Sequence, residues 1–342
     1  MSNIAIVGEA WGAEEEKERT AFVGTSGFLL TKMLEEADIS RADCFLTNVI
    51  NARPAANKIE AFCGDKKTAI PGYPALAKGK YLRREFEPEL VRLGDELIDC
   101  NPNLVIALGN TALWALCGRG AISKARGTTF LSSHTIAGYK VLPTYHPAAV
   151  SRQWELRPIT VLDFCKAKRE AEFPEIRRPK REIWIEPTLA DLESFYEQYI
   201  TPRSIQARAE LSTDIETAGT QITCIGFGYP DVAIVIPFTD ARRKDRCYWP
   251  TKGDELGAWV FVRRVLEDVA IRKLFQNGMY DIAFIWRTTG IKVMGAEEDT
   301  MLLHHALQPE SLKGLGFLGS IYCDEGNWKE MRQRSTTLKA DE

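Results

Sequence analysis

No run of about 18 apolar residues occurs in the 342-residue chain, so no membrane-spanning helix is expected. Neither charge sign is in excess: 44 Lys and Arg face 47 Asp and Glu, a formal net charge of -3. That balance excludes a wholly basic nucleic-acid coat but leaves a local basic groove open, because a polyanion meets the distribution of charge rather than its sum. No CxxC pair is present. The eight cysteines (44, 63, 100, 117, 165, 224, 247 and 323) are scattered, a pattern of idle thiols in a reducing compartment rather than a disulfide framework. The same scatter offers no clustered ligands for structural zinc or an iron–sulfur cluster. The opening MSNIAIVGEAWG lacks a basic n-region and a small-residue cleavage site, so no signal peptide is expected and the location is read as cytoplasmic. Internal repeats and low-complexity tracts are also missing. What remains is 45% hydrophobic and 27% charged, the profile of a globular chain, with length for two domains of roughly 100–200 residues each.

The first half alternates apolar runs with helical patterns. Strands are expected at Ile4–Val7, Cys44–Val49, Leu104–Leu108 and Lys140–Thr144. Between them, Thr25 and Ser26 are expected to cap a helix whose apolar face is Leu29, Leu30, Met33 and Leu34. Glu87–Ile98 is amphipathic, and Thr111–Leu116 reads as a further helix. Strands alternating with helices argue for a mostly parallel sheet, in which function gathers at the loops leaving the strand C-termini. Gly8-Glu9, Asn48 and His146 all fall at such ends. From Lys166 to Arg181 the chain turns basic and is punctuated by Pro174 and Pro179, which reads as a solvated linker. A second α/β pattern follows. Its strands are expected at Glu182–Ile185, Leu211–Ile215, Thr223–Phe227, Ala233–Pro237 and Lys273–Gln276, and its helices at Leu189–Tyr199, Leu256–Glu267 and Met279–Arg287.

The segment Val7-Gly8-Glu9-Ala10-Trp11-Gly12-Ala13-Glu14-Glu15-Glu16 is a strand entering a glycine-bearing turn rich in carboxylates. Glycine admits close approach of backbone to a ligand, and carboxylates there can position water or steady a cation. Phe22-Val23-Gly24-Thr25-Ser26-Gly27 adds an aromatic and a turn at a helix N-terminus, a place that favours anions. An ordinary loop with an acidic solvated face accounts for these residues equally well when they are taken alone. The order of the pieces is more specific: GEAWGAEEE…FVGTSG, TNVINARP, IALGNTALWAL, ISKARGT and LPTYHPAAV follow one another over residues 1 to about 170. This series of five motifs resembles the uracil-DNA glycosylase superfamily, in particular its microbial branch with GEAPG and HP-type motifs.

The resemblance implies roles position by position. Glu9 and Glu15 match the acids that place water and face the sugar cation, Asn48 the amide that reads the base edge, and His146 the donor to the uracil oxygen. Gly8, Ala10, Phe22 and Asn48 are the implied uracil pocket, with Phe22 stacking on the extruded base. Ser26, Arg126, Ala148 and Arg152 are the implied DNA contacts, Ala148 to Arg152 forming the loop that enters the minor groove. The residue types suit the chemistry: uracil leaves as an anion while the sugar becomes an oxocarbenium ion, so a donor belongs at the base oxygen and negative charge near the sugar. The base must first leave the stack, which an aromatic platform favours. Two departures stand out. Trp11 replaces the proline usual in the first motif, and Ala52 occupies the neighbourhood where the iron–sulfur relatives place a cysteine. No cluster is expected, since Cys63 alone cannot hold one. The glycosylase part is expected to need no cofactor.

In the second half, Asp214 and Glu216 stand at i and i+2 on a strand, hence on one face, where a divalent cation is a better explanation than packing. Phe275-Gln276-Asn277-Gly278-Met279-Tyr280-Asp281 supplies a further acid near a helix start. The arrangement resembles the 3′–5′ proofreading exonucleases attached to bacterial and phage polymerases of the first type, as do Glu298-Asp299-Thr300-Met301 and Ser311–Leu315. That resemblance implies Asp214, Glu216 and Asp281 as metal ligands, magnesium or manganese as the ion, and two-metal phosphodiester hydrolysis. The fourth acid is not found: Asp299 is not it, and Tyr322 with Asp324 lacks its spacing. This half is therefore expected to be incomplete, with weak or absent nuclease activity. Surface acids on an unrelated α/β domain are the alternative.

The expected architecture is α/β throughout: a uracil-DNA-glycosylase-like αβα sandwich with a central mostly parallel sheet over residues 1–170, a basic linker over 171–182, and an incomplete ribonuclease-H-like exonuclease domain over 183–342. Such an order resembles the front of some phage DNA polymerases, which implies DNA as partner, a polymerase module or subunit beside it, and the host cytoplasm as location. Three functions remain open on the sequence: an active uracil-DNA glycosylase, which is favoured, a non-catalytic DNA-binding module, and a nuclease completed by another chain.

Overall fold

The computed structural model describes residues 3–206 and 209–323, apart from the Glu297 side chain; the polar stretch expected at 332–342, and Asp324, lie outside the described residues. The described residues divide into two compact units: residues 3–178 together with 316–323, and the described residues between 179 and 315.

The first unit runs β1 (Ile4–Ala10), α1 (Ala13–Glu18), α2 (Thr25–Glu36), β2 (Cys44–Ile50), a small hairpin of β3 (Cys63–Gly64) and β4 (Tyr81–Leu82), α3 (Glu87–Cys100), β5 (Leu104–Leu108), α4 (Gly109–Cys117), α5 (Ile122–Ala125), β6 (Phe130–Ser133), β7 (Ala137–Thr144), α6 (Pro147–Arg152) and α7 (Leu156–Glu170). Its sheet has the order β2-β1-β5-β7-β6. The first four strands are parallel, and β6, which sequence periodicity did not reveal, lies antiparallel at the edge. Period-two alternation sends β1 and β5 into two cores. Ile4, Ile6, Leu104, Ile106 and Leu108 meet Leu30, Met33 and Leu34 of α2 and Phe164 of α7 on one face. Ala5, Val7, Val105 and Ala107 meet Leu90, Leu93 and Leu97 of α3 and the buried face of α4 on the other. A parallel strand covered on both faces must be apolar throughout, which is why LVIAL contains no polar residue.

Two local expectations are corrected. Gly24, not Thr25 or Ser26, is the N-cap of α2; the helix begins at Thr25 itself. Lys166 does not open a linker, because α7 continues to Glu170 and the Lys166 side chain is buried, its ammonium donating to the Cys323 carbonyl at 3.1 Å. Residues 171–181 carry no helix or strand.

The second unit runs β8 (Glu182–Trp184), α8 (Leu189–Phe195), α9 (Thr201–Ser204), β9 (Glu210–Ala218), β10 (Gln221–Gly228), β11 (Val232–Pro237), α10 (Lys252–Glu267), β12 (Arg272–Phe275), α11 (Gly278–Thr289), β13 (Ala296–Asp299) and α12 (Thr300–Leu307). The helix expected over Leu189–Tyr199 passes through a wide π turn at Tyr196–Ile200 into α9. Pro202 has no N–H to offer the Gln198 carbonyl, so the regular ladder cannot continue there. The sheet is mixed, in the order β13-β12-β9-β10-β11-β8, with β9, β10 and β11 antiparallel and the outer strands parallel to their neighbours. The last described helix, α13 (Leu315–Tyr322), belongs from Gly316 onward to the first unit.

Candidate active site

The tips of β1 and β2 meet in register, Gly8 opposite Asn48. A Cβ at position 8 would lie 2.2 Å from Asn48 Oδ1 and 2.5 Å from Phe22 Cζ, so only glycine lets these two side chains close over the strand. Asn48 is almost fully buried, and its Nδ2 has no hydrogen-bond partner among the described residues. A buried amide left without a partner costs free energy, which a ligand at this point would recover.

Phe22 is buried as well and sits at a φ of +60°, a left-handed conformation that a non-glycine residue holds at a cost of about 1–3 kcal/mol. Two bonds hold it there. Its N–H donates to Glu15 Oε1 at 2.8 Å, and its carbonyl accepts from Arg41 Nη2 at 2.8 Å. The other Glu15 oxygen accepts from the Gly12 N–H. One Glu15 oxygen thus holds the backbone of Phe22 and the other that of Gly12, the N-cap of α1, a tie that orients the aromatic.

Glu9, next to Gly8, is half-buried, and Thr111 at the first turn of α4 donates its hydroxyl to Glu9 Oε2 at 2.5 Å. Burial pushes the Glu9 carboxyl above its ordinary range. The Thr111 bond and the Arg152 charge pull it back, and Glu60 adds to the rise. Thr111 gave no signal in the sequence beyond its place in the turn after β5, and neither did Gly109, whose φ of +86° puts a would-be Cβ 3.2 Å from His146 Cβ.

His146 is the N-cap of α6, and its Nδ1 accepts the Ala148 N–H at 3.1 Å. With Nδ1 occupied as an acceptor, the proton of the neutral ring resides on Nε2. Burial pushes the imidazole down to about 4, with the Arg152 charge acting in the same sense. The Phe22 and His146 ring centroids lie 6.1 Å apart at 31°. The structure therefore gathers Gly8, Glu9, Phe22, Asn48 and His146 at one end of the sheet: a stacking face, an unsatisfied amide, a neutral imidazole donor and a partly desolvated carboxylate. Ala10 ends β1 half-buried, and the Trp11 N–H donates to the Ala52 carbonyl at 3.3 Å.

Of the expected DNA contacts, Ser26 is half-buried on α2, Ala148 half-buried on α6, and Arg152 exposed at the end of α6. Arg126 is a correction. It is buried, ion-paired with Asp163, and bonded to Ser320 Oγ at 2.9 Å, so its guanidinium has no face left for a phosphate.

In the second unit, Asp214 and Glu216 point to the exposed face of β9, alternating with buried Thr213 and Ile215. Asp281 is buried on α11 and accepts the Ile215 N–H at 3.1 Å. β12 stops pairing with β9 at Ser212, and the aspartate covers the backbone donor exposed beyond that point. Burial pushes Asp281 up to about 6, the Ile215 bond opposing and the Asp214 charge adding; Asp214 is raised by burial and by Glu216. Asp299 caps α12 and accepts from the N–H groups of Asn277, Gly278, Met301 and Leu302; burial raises it, but these bonds outweigh that and hold it below its ordinary range. The expected metal triad is not assembled. Among the described residues no group of three or more His, Cys, Asp or Glu is placed to hold an ion.

Residues 1–174 match the family model described as the uracil DNA glycosylase superfamily. Among curated proteins, the chain is similar to the type-4 uracil-DNA glycosylase of Thermotoga maritima, 36% identical over 171 residues that cover 49% of this chain and 77% of that protein. It is also similar to a DNA polymerase of Bacillus phage SP01, 24% identical over 264 residues, covering 69% of this chain and 27% of the polymerase. Similar solved structures include the apo form of a nuclease (15% identity, TM-score 0.28, 42% of this chain and 61% of that one). Another is the EXD2 exonuclease domain soaked in Mg and dGMP (12% identity, TM-score 0.27, 47% of this chain and 79% of that one).

Proposed function

The chain belongs to the uracil-DNA glycosylase superfamily, and from that premise we propose that its first unit is a uracil-DNA glycosylase, hydrolysing the N-glycosidic bond of uracil in DNA. The observation that carries the reading is the buried Asn48 amide, whose Nδ2 has no hydrogen-bond partner among the described residues, beside Phe22 and a neutral His146. An extruded uracil stacks on Phe22, while the Asn48 amide donates to one edge atom and accepts from its neighbour, a pattern that cytosine does not match. Uracil has to leave carrying the electron pair of the N1–C1′ bond. The His146 Nε2–H donates to the base oxygen on which that charge collects, and a neutral donor does so without surrendering its proton. Glu9 faces the positive charge that grows on the sugar and takes the proton of the water adding to C1′. Its raised affinity for protons makes it a better base than a solvated carboxylate. Glu15 acts through Phe22 and is assigned here to positioning. The donors, the acid and the stacking face assign no metal or cofactor to this reaction.

Similarity to the phage polymerase extends across 264 residues, and this supports a setting in DNA replication, with a polymerase module or subunit as partner and the cytoplasm as location. The deciding experiment incubates the full chain with a uracil-bearing single strand in EDTA. Abasic product is expected, and His146→Ala should lower its rate by about 10²–10³. Binding without base release would overturn the proposal in favour of a non-catalytic DNA-binding module.

A further inference from the structure

Asn48 lies on β2, the outer strand of its sheet, so among the described residues no strand pairs with one edge of its backbone. Side chains from α3 hold that edge. Arg92 Nη2 donates to the carbonyls of Asn48 at 2.8 Å and Val49 at 3.2 Å, and Nη1 donates to Thr47 Oγ1 at 3.2 Å. The guanidinium is clamped in turn by Glu89 at 3.1 Å and Glu96 at 2.7 Å, all three side chains being only about a quarter exposed. Both acids also reach the strand: Glu96 accepts from the Thr47 hydroxyl at 2.7 Å, and Glu89 from the Asn51 N–H at 2.7 Å. Residues 89, 92 and 96 share one face of the helix, so one polar stripe grips Thr47, Asn48, Val49 and Asn51 together.

We propose that Arg92 is a positioning residue for base recognition: with Glu89 and Glu96 it fixes the backbone of Asn48, and through it the angle at which the amide meets uracil. The proposal rests on the glycosylase reading. Gly8 closes one side of Asn48 and Arg92 the other, which leaves the amide little freedom, and a buried amide must be aimed in advance to select one base edge over another. Arginine suits this task because its planar fork sends donors in several fixed directions at once, whereas an ammonium is a single point.

The test compares the full chain with Arg92→Met, Arg92→Lys and Thr47→Val. Three quantities are measured: the inhibition constant of free uracil, the dissociation constant for an abasic-site oligonucleotide, and the melting temperature. Expected is a rise of about tenfold or more in the uracil constant for Arg92→Met, a smaller rise for Arg92→Lys and for Thr47→Val, and an unchanged abasic-DNA affinity in each. Equal loss of uracil and abasic-DNA affinity would mean general loosening and would overturn the proposal, as would a folded Arg92→Met chain with wild-type uracil affinity. Should Arg92→Met fail to fold, Thr47→Val decides by the same criteria. A wild-type chain that neither releases nor binds uracil would overturn the glycosylase reading and this proposal with it. A wild-type chain that does both, matched by its variants, would overturn this proposal alone.

Discussion

Acidification is the sharpest perturbation of the site, because a second proton on His146 would fall on Nδ1, which accepts the Ala148 N–H, and would place a cation in a buried position. Its imidazole lies at about 4 instead of the ordinary 6.5, a gap of about 2.5 pH units. At ~1.4 kcal/mol per unit, the site favours the neutral ring by about 3.5 kcal/mol. The sign follows from the direction: a histidine whose folded-state value is depressed contributes stability above 6.5 that is lost as the pH falls toward about 4. The assay is nitrogen NMR of the ring alongside single-turnover uracil release over the same pH range. Expected is a neutral ring, protonated on Nε2 and bare on Nδ1, down to pH values near 4, with no loss of release attributable to His146 above that. The acid limb of the rate then belongs to Glu9, whose carboxylate must be ionised to face the sugar cation. A second proton on the ring near 6.5, or a hydrogen on Nδ1 where Ala148 donates, would refute the reasoning.

Gly8→Ala should leave the fold intact but reduce uracil release by about 10² or more, because the new methyl displaces Asn48 and Phe22, between which it has no room; steady-state kinetics with a melting curve checks both halves. Glu9→Gln should lower activity yet raise the melting temperature at neutral pH. Glu9 has a raised folded-state value, so the stability it contributes is present in acid and lost as the pH rises; the gain of the variant should vanish in acid, and a pH-independent melting difference would contradict this. Ser320→Ala should destabilise the first unit by about 1.5–3 kcal/mol, since it removes a hydrogen bond from the buried Arg126 guanidinium; urea unfolding of the full chain measures it, and an unchanged midpoint would contradict the assignment.

Local pattern in the chain was enough to determine most of the strands and helices, the mixed α/β character of both halves, and the five ordered motifs whose tips hold Gly8, Glu9, Asn48 and His146. Periodicity reports which face of an element is buried, and a parallel sheet places successive strand ends together, so those residues could be expected to share a site. Only the tertiary structure decided what each polar group faces. Arg126 sits in a turn like any basic surface residue, and its burial depends on Asp163 and on Ser320, 194 positions further along the chain. The residue order suggested Glu15 as a catalytic acid but not that both of its oxygens hold backbone N–H groups, and it placed Arg92 on an amphipathic helix without showing that it meets the carbonyls of β2. Asp281 shares the polar signature of Asp214 and Glu216, yet it turned to the Ile215 N–H. Glu15 meets partners close by in sequence, Gly12 and Phe22, whereas for Arg126, Arg92 and Asp281 the reason is shared. A hydrogen bond or ion pair needs its partner within about 3 Å, and that proximity is set by how distant segments pack, which no spacing along the chain encodes.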